Sequence, residues 1–177
     1  SAEYYFEPVG MFSVGLFLKE IKQFIYTAGG EIVGSGADNG FEGQYAGYTL
    51  TTQRNGGAAH IRGIEVAYQQ QFTFLPGFWN GFGVFANLTR MQAKGNYGTG
   101  NALGSLQPTS EIAGFNPTVA NLGLSYIKNR ATVRIQYNYR SRYLWVYSAN
   151  QSRLRYFKAR PVDDVRTQYT LSKHFDV

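Results

Sequence analysis

Few residues in this sequence have the type and spacing that catalysis or metal binding requires. Glu65 could act as a catalytic carboxylate, but a polar strand residue that pairs with Arg or Lys is the better interpretation. The two histidines, His60 and His174, are too isolated to build a metal site. The sequence contains no nucleophile elbow, P-loop or paired-carboxylate motif. We therefore predict that the protein is not an enzyme and binds neither a metal nor another cofactor.

The positive charge of the chain raises the possibility of an anionic partner. The sequence has 17 Lys and Arg against 11 Asp and Glu, a formal net charge of +6. No basic helix or RNA-binding signature accompanies this charge, so we exclude nucleic acid as a partner. Much of the excess lies between Arg130 and Arg166. That region predicts a solvated loop and a wet strand face or, alternatively, contact with anionic lipid head groups or an anionic ligand.

The elements that position these residues are strands with one apolar and one polar face. In Ala131–Tyr143, Val133, Ile135 and Tyr137 alternate with Arg134, Gln136 and other polar side chains. Because a strand turns successive side chains to opposite faces, this alternation predicts a sheet whose two faces differ sharply. A soluble sandwich must cover the apolar face with a second sheet, whereas lipid covers it in a transmembrane barrel.

The same alternation recurs along the chain and predicts an antiparallel meander of about seven long strands. The predicted strands are Ser1–Glu7, Met11 to about Tyr26, Thr49–Phe72 with a possible break at Asn55-Gly56-Gly57, Phe82–Thr89, Ala120–Tyr126, Ala131–Tyr143 and Asp164–Ser172. Short turns alternate with three long loops, which we place at about 28–45, 93–116 and 144–161. Short turns at one end and long loops at the other are typical of outer-membrane barrels.

Composition and length support a membrane barrel over a soluble domain. Tyr and Phe number 14 and 13, which is unusually high, and no apolar run is long enough for a membrane-spanning helix. Aromatic residues gather near the ends of predicted strands, where interfacial girdles belong. Seven is an odd number, whereas bacterial barrels have even strand counts. Lys173–Val177 also resembles a turn into another strand, so we interpret the chain as a section of a larger barrel.

Several stretches resemble one known family. The segment from Asn55 to Phe72, NGGAAHIRGIEVAYQQQF, is similar to the strand of TonB-dependent outer-membrane receptors in which N-G-G-x-A-x-I-x-G-[IV]-E leads into an aromatic and polar repeat. Leu75-Pro76-Gly77, Gly83–Thr89, Tyr137–Arg140 and Val162–Tyr169 continue the resemblance in the family's order. The resemblance therefore covers nearly the whole chain.

The resemblance implies a role in energy-coupled uptake across the outer membrane of Gram-negative bacteria. Such receptors have a barrel of about 22 strands with an N-terminal plug inside. Residues 1–177 would then be a partial barrel domain, without the plug, the energy-coupling segment and the C-terminal strands. The implied partners are outer-membrane lipid and lipopolysaccharide, a small-molecule ligand of the siderophore, cobalamin or oligosaccharide class, and the TonB energy-coupling complex, which is reached through the plug.

The resemblance also implies that ligand-binding residues come from the extracellular loops and the outer lumen. In this sequence it nominates Tyr45, Tyr48, Arg54, Tyr97, Arg142, Trp145, Tyr147, Arg153, Arg155 and Tyr156. Aromatic rings stack on sugars or catecholates, and arginines bind carboxylates or phosphates with two hydrogen bonds. For each residue, a place in a solvated loop or an aromatic girdle is the alternative. Two other functions also stay open: a passive porin or structural barrel, and a soluble carbohydrate-binding β-sandwich.

Overall fold

A computed structural model describes residues 1–97, 108–172 and 175–176. This part of the chain is all-β, with two short 3-10 helices at Gly77–Gly81 and Gln151–Arg153. Its strands are β1 (Ala2–Phe6), β2 (Gly10–Lys22), β3 (Ile25–Ile32), β4 (Thr49–Asn55), β5 (Ala58–Gln71), β6 (Phe82–Gly95), β7 (Thr118–Lys128), β8 (Ala131–Arg140), β9 (Tyr143–Val146), β10 (Arg155–Phe157), β11 (Arg160–Ser172) and β12 (Phe175–Asp176). Within the described ranges, no helix is both long and apolar enough to cross a membrane.

One large antiparallel sheet contains most of these strands. Its order is β1-β2-β5-β6-β7-β8-β11-β12, so neighbours in space follow one another along the chain except where β3–β4 and β9–β10 are inserted. The predicted all-β antiparallel meander is therefore confirmed. Asp176 pairs with Thr170 of β11, whereas Lys173, His174 and Val177 of the predicted final turn lie outside the described residues.

The two ends of the sheet differ in the length of their connections. Two residues, Asn129 and Arg130, join β7 to β8, and Asn129 adopts the positive φ of 55° that such a tight turn needs. At the opposite end, residues 23–57 join β2 to β5 and residues 141–159 join β8 to β11. We call these the turn end and the loop end of the sheet. The predicted alternation of short and long connections is confirmed.

Several predicted boundaries were wrong, mainly at the loop end, where β6 extends to Gly95 rather than Thr89 and β11 begins at Arg160 rather than Asp164. β2 ends at Lys22 rather than near Tyr26, because Gln23 adopts a φ of 55° and turns the chain. The stretch that begins at Ala28 starts as strand, since β3 pairs with β4 before the loop begins. The loop predicted at 144–161 contains most of β9 and all of β10, which pair with each other. The break predicted at Asn55-Gly56-Gly57 is confirmed, because it separates β4 from β5.

The large sheet has an uncovered apolar face along most of its length. We call this face outward, and it includes Leu16, Leu122, Ile135 and Val165, which are 77%, 52%, 49% and 69% exposed. No second sheet covers it in residues 1–97 and 108–172. A water-soluble β-sandwich would bury such a face, so this alternative loses its support.

The opposite, inward face is polar over the same length. Asn121 donates to Asn87 across β7 and β6 at 2.6 Å, and Asn138 donates to Asp164 across β8 and β11 at 3.0 Å. Arg134 and Arg140 also point inward, because they alternate with Val133 and Tyr139 along β8. Their inward position does not support the predicted contact with lipid head groups for these two arginines.

Two inward aromatic rings cover glycines on neighbouring strands. Phe85 lies directly opposite Gly123, and Phe17 directly opposite Gly63. A Cβ added at Gly123 would lie 1.9 Å from a carbon of the Phe85 ring, and one at Gly63 would lie 2.5 Å from the Phe17 ring. Only glycine leaves room for a ring lying flat on the strand, which explains why two large apolar side chains occur on a polar face.

Aromatic side chains gather at the turn end. The rings of Phe78, Trp79, Phe82 and Tyr126 lie 4.7 to 5.7 Å apart between centroids. Phe6 of β1 also contacts Tyr68 of β5 at 6.2 Å. This arrangement is typical of an interfacial girdle, where one side of the ring meets hydrocarbon and the other meets water.

Candidate functional site

The candidate site lies at the loop end, where a second layer of strands packs on the inward face of the large sheet. We call β3, β4, β9, β10 and their connecting loops the loop-end layer. Backbone bonds join its two hairpins: Gly29 donates to Tyr147 at 3.0 Å, and Tyr147 donates to Thr27 at 3.1 Å. The layer therefore holds residues from the first and the last long connection next to each other.

An apolar contact fixes this layer to the sheet. At the loop end the inward side chains change from polar to apolar, and Ala59 and Ile61 of β5 are only 1% and 3% exposed. They pack with Leu144 of β9, the largest fully buried side chain in the described residues, and with Phe24. Burial of apolar surface is the main force that holds such layers together.

Four aromatic rings form the centre of this contact. Tyr97 stacks on Tyr147 with a centroid distance of 3.6 Å and an interplanar angle of 13°. Tyr26 meets both rings edge-on, at 4.6 and 5.5 Å, and Phe24 meets Tyr97 at 5.3 Å. Edge-on and stacked rings interact favourably through their quadrupoles. Two nominated residues, Tyr97 and Tyr147, therefore lie within the support of the site and not on its surface.

The hydroxyl of Tyr97 ties this aromatic centre to the backbone of the neighbouring loop. It donates to the carbonyl oxygen of Glu111 at 2.5 Å and accepts a hydrogen bond from the amide of Ala113 at 2.8 Å. Burial raises the pKa of Tyr97 well above its ordinary range, because the interior disfavours the charged phenolate. Tyr97 therefore stays neutral and keeps both hydrogen bonds under physiological conditions.

The loop between β3 and β4 is shaped by one asparagine. The side chain of Asn39 donates to the carbonyl oxygens of Gly34 and Gln44, both at 2.8 Å. Its oxygen accepts from the amides of Phe41 and Gly43 at 2.8 and 3.1 Å. Asparagine can make all four bonds because its amide has both donors and an acceptor. The loop is thus ordered by its own contacts.

This ordered loop displays a row of exposed aromatic rings. Phe41, Tyr45 and Tyr48 are 37%, 57% and 69% exposed. Successive rings meet edge-on at 5.7 and 6.0 Å. Two of the three, Tyr45 and Tyr48, were nominated from the sequence, and Phe41 was missed. The glycines and the Asn39 around Phe41 were the signal that this segment forms a shaped turn.

A cavity opens beside this row. It is lined by Gly30, Thr49, Ser152, Arg153, Leu154 and Arg155 and measures about 700 Å³ with its open mouth. Arg153 donates from Nη1 to the carbonyl oxygen of Gly30, which fixes its guanidinium at the wall. Arg155 is exposed and forms no ion pair within residues 1–97 and 108–172. A positive group held in an open cavity attracts carboxylates and phosphates.

Four other nominated residues do not line this cavity and form separate side-chain pairs instead. Arg142 lies 4.0 Å from the centre of the Tyr156 ring and 4.0 Å from the Glu111 carboxylate. Arg54 forms an ion pair with Glu31 at 2.6 Å. Trp145 packs edge-on against Phe157 at 5.0 Å, on the side of β9 away from the buried Leu144. The structure thus brings Arg153 and Arg155 to one opening, next to Thr49, which follows the nominated Tyr48 in sequence, and Trp145 does not line that opening.

Burial, with a smaller contribution from acidic neighbours, raises the pKa values of two tyrosine side chains near the site. Burial raises the pKa of Tyr26, with Arg54 opposing the shift and Glu31 adding to it. Burial also raises the pKa of Tyr156, and Glu111 adds to that shift. Both phenols therefore remain hydrogen-bond donors near neutral pH. No group of three or more metal-binding side chains occurs in the part of the chain that the structure describes.

Comparison with known proteins agrees with this architecture. No curated protein matches the sequence. The family model described as "TonB dependent receptor-like, beta-barrel" matches residues 1–177, the full length of the sequence. Proteins of this family are outer-membrane receptors with a role in transport, found in Gram-negative bacteria. With its antiparallel meander, uncovered apolar face and long connections at one end, the chain belongs to the TonB-dependent receptor-like β-barrel family.

Proposed function

We propose that this chain forms part of the barrel wall and of the extracellular ligand-binding surface of a receptor for energy-coupled uptake. The scarce ligand would belong to the siderophore, cobalamin or oligosaccharide class. Family membership supports a receptor and transport role. The loop-end layer supports the more specific assignment, because it holds side chains from distant parts of the chain around one opening.

The observation that carries the proposal is the combination of an aromatic row with a basic cavity. Tyr48 ends the row of exposed rings, and the next residue, Thr49, lines the cavity with Arg153 and Arg155. Rings and arginines together suit a ligand with planar or sugar-like surfaces and anionic groups. An iron-siderophore complex with carboxylate or catecholate groups has both features, and we favour this class within the proposal.

A second observation supports binding by a preformed surface. Asn39 fixes the aromatic loop with four hydrogen bonds, and the buried Tyr97–Tyr147 stack fixes the layer beneath it. A surface that is already ordered loses less conformational entropy when a ligand binds. In this proposal Tyr97 and Tyr147 position the loops, whereas Tyr48 and Arg155 contact the ligand.

The test is ligand binding by receptor variants in outer-membrane vesicles. Three probes represent the ligand classes: a ferric catecholate siderophore, cobalamin and a linear oligosaccharide. We expect one probe to bind, and the single substitutions Tyr48→Ala and Arg155→Ala each to weaken its affinity about tenfold, since each removes one contact of about 1.4 kcal/mol. Lys158→Ala is the matched control, because Lys158 is also an exposed cation but does not line the cavity. Unchanged affinity in both Tyr48 and Arg155 variants would remove this site from the proposal.

Energy coupling separates this proposal from a passive porin or a structural barrel. Uptake of the bound probe should stop when the proton gradient of the inner membrane is collapsed with a protonophore. A porin would continue to pass the solute down its concentration gradient. Continued uptake at the same initial rate would favour the porin and overturn the energy-coupled assignment, while leaving the binding measurements intact.

A further inference from the structure

Two arginines lie side by side on the inward face of the large sheet, near its turn end. Backbone pairing places Arg166 of β11 directly opposite Arg134 of β8, and both side chains are exposed. The Cβ atoms of directly opposite residues lie only about 5 Å apart, and like charges in such a pair destabilise a sheet. An anion bound by both guanidinium groups would replace this repulsion with attraction.

No carboxylate of the described residues neutralises this pair. In the part of the chain that the structure describes, neither arginine forms an ion pair. Asp164 lies on the same face, two residues from Arg166, but its carboxylate accepts a hydrogen bond from Asn138 at 3.0 Å. The positive charge of the pair therefore attracts an anion from outside these residues.

The two arginines line one cavity on the inward face. The other lining residues are Thr132 and Gln168, which form the next directly opposite pair toward the turn end. The cavity measures about 360 Å³ with its open mouth. Since one water molecule takes about 30 Å³ of liquid, this space is large enough for a small polyatomic anion. The Thr132 hydroxyl and the Gln168 amide add hydrogen-bonding groups to the charged ones.

The arrangement of the donors favours a phosphate group over a single carboxylate. Each guanidinium is a planar fork of N–H donors that matches two oxygens of an anion. A carboxylate has one pair of oxygens and satisfies one fork. A phosphate group has enough oxygens to meet two forks that come from neighbouring strands.

A second arginine pair on the same strands shows what distinguishes this cavity. Arg140 and Arg160 are also directly opposite and inward, six residues or about 20 Å closer to the loop end. Two of their inward neighbours are apolar, since Val119 pairs with Arg140 and Val162 follows Arg160 on the same face. Neither arginine of this second pair lines the cavity. The second pair therefore has the same charge in different surroundings.

We propose that Arg134 and Arg166, with Thr132 and Gln168, form a binding site for a phosphate group in the lumen wall. The proposal rests on the inward face lining a water-filled lumen, which family membership supports. It does not depend on the ligand proposed for the loop-end cavity, which lies at the other end of the sheet. The phosphate group belongs either to the free ion or to a phosphorylated solute, because both present the same oxygens.

Equilibrium dialysis of radiolabelled probes against the intact receptor, in neutral detergent and at constant ionic strength, tests this proposal. The probes are inorganic phosphate, glucose 6-phosphate and acetate. We expect both phosphate probes to bind, and acetate to bind about tenfold more weakly or worse, since it satisfies only one fork. Equal affinities for the two phosphate probes support the free ion, whereas tighter binding of the ester supports a phosphorylated solute. Acetate binding as tight as that of phosphate contradicts the proposal.

Charge-matched variants separate this cavity from the net charge of the lumen wall. Arg134→Gln with Arg166→Gln should weaken phosphate binding by about tenfold or more, whereas Arg140→Gln with Arg160→Gln should bind phosphate as the wild type does. Equal loss in the two double variants, or full affinity in the first, overturns the proposal. Absence of phosphate binding to the wild type also overturns it, and is the result expected if a carboxylate of the intact protein occupies the cavity.

A conservative variant covers the case in which the first double variant fails to assemble. Arg134→Lys with Arg166→Lys keeps both charges but removes the planar forks, so phosphate affinity should still fall severalfold. Unchanged affinity in this variant rules out binding by the forks. Ligand affinity at the loop-end cavity, measured on the same samples, should be the same in all variants, so that failure of either proposal leaves the other measurable.

Discussion

The turn-end and loop-end portions of β2, β5 and β6 share one continuous antiparallel pairing, but they differ in which face of the sheet is apolar. Toward the turn end, Leu16, Ile64 and Leu88 face outward and are exposed, while Gly15, Glu65 and Asn87 face inward. Toward the loop end, the inward Ile61 is buried and the outward Arg62 is exposed. The backbone pairing continues without interruption across the change.

The difference shows that the environment, and not the strand, decides which face must be apolar. In the membrane, lipid surrounds the outside and water fills the inside, so apolar side chains face outward. Beyond the membrane, water surrounds the outside and the loop-end layer covers the inside, so apolar side chains face inward. The reversal therefore marks where the wall leaves the hydrocarbon.

The largest effect should come from a cavity beneath the loop-end layer. Leu144→Ala removes the most deeply buried large side chain and should destabilise this layer by about 2–5 kcal/mol. Leu124→Ala, on the outward face of β7, is the control, and it should cost much less because lipid fills the space. Hydrogen exchange of the β3 and β9 amides measures the loss. Equal protection of these amides in both variants would contradict the proposed role of the buried contact.

A charge placed at two heights on the outward face tests the boundary directly. Leu122→Arg puts the charge in the apolar band and should destabilise the membrane-inserted barrel by about 2–4 kcal/mol. His60→Arg puts the same charge on the same face at the loop end, beside Glu20, and should cost about 0–1 kcal/mol. Urea-dependent folding into phospholipid vesicles measures both values. Similar costs at the two positions would show that the boundary is not where the polarity reverses.

The smallest effect should be an alkaline loss of stability confined to the loop end. Because the pKa of Tyr97 is raised by burial, its neutral form stabilises the fold fully below about pH 10, the ordinary tyrosine value. That contribution declines as the pH rises above this value toward the raised pKa. Tyr97→Phe should lower the stability of the layer at neutral pH by about 0.5–1.5 kcal/mol for each lost hydrogen bond, and should flatten the alkaline decline.

Near-UV circular dichroism during urea titration, from about pH 8 to about pH 11, follows this decline. Tyr45→Phe is the control, since Tyr45 is exposed and outside the buried stack. An alkaline slope that is the same in wild type and Tyr97→Phe would assign the effect to other groups.

The candidate site was predicted from the sequence only in outline. The loops that carry it were identified, but the loop at 28–45 was placed over part of β3, and most of β9 and all of β10 were missed. These short strands have little periodicity of their own, because long-range pairing and burial specify them. Tyr97 and Tyr147 look like surface aromatics in the sequence, and only the packing of two distant loops shows that they are buried.

By itself, the sequence determined the strands of the large sheet, their order and the alternation of short and long connections. It could do so because a two-residue period and tight turn residues are local signals. Tertiary structure decided which face is covered at each height and which of the nominated residues reach one opening. An alternating sequence has the same pattern whichever of its two faces meets water. The neighbours that the fold brings together therefore decide that Ile61 is buried and Ile64 is exposed.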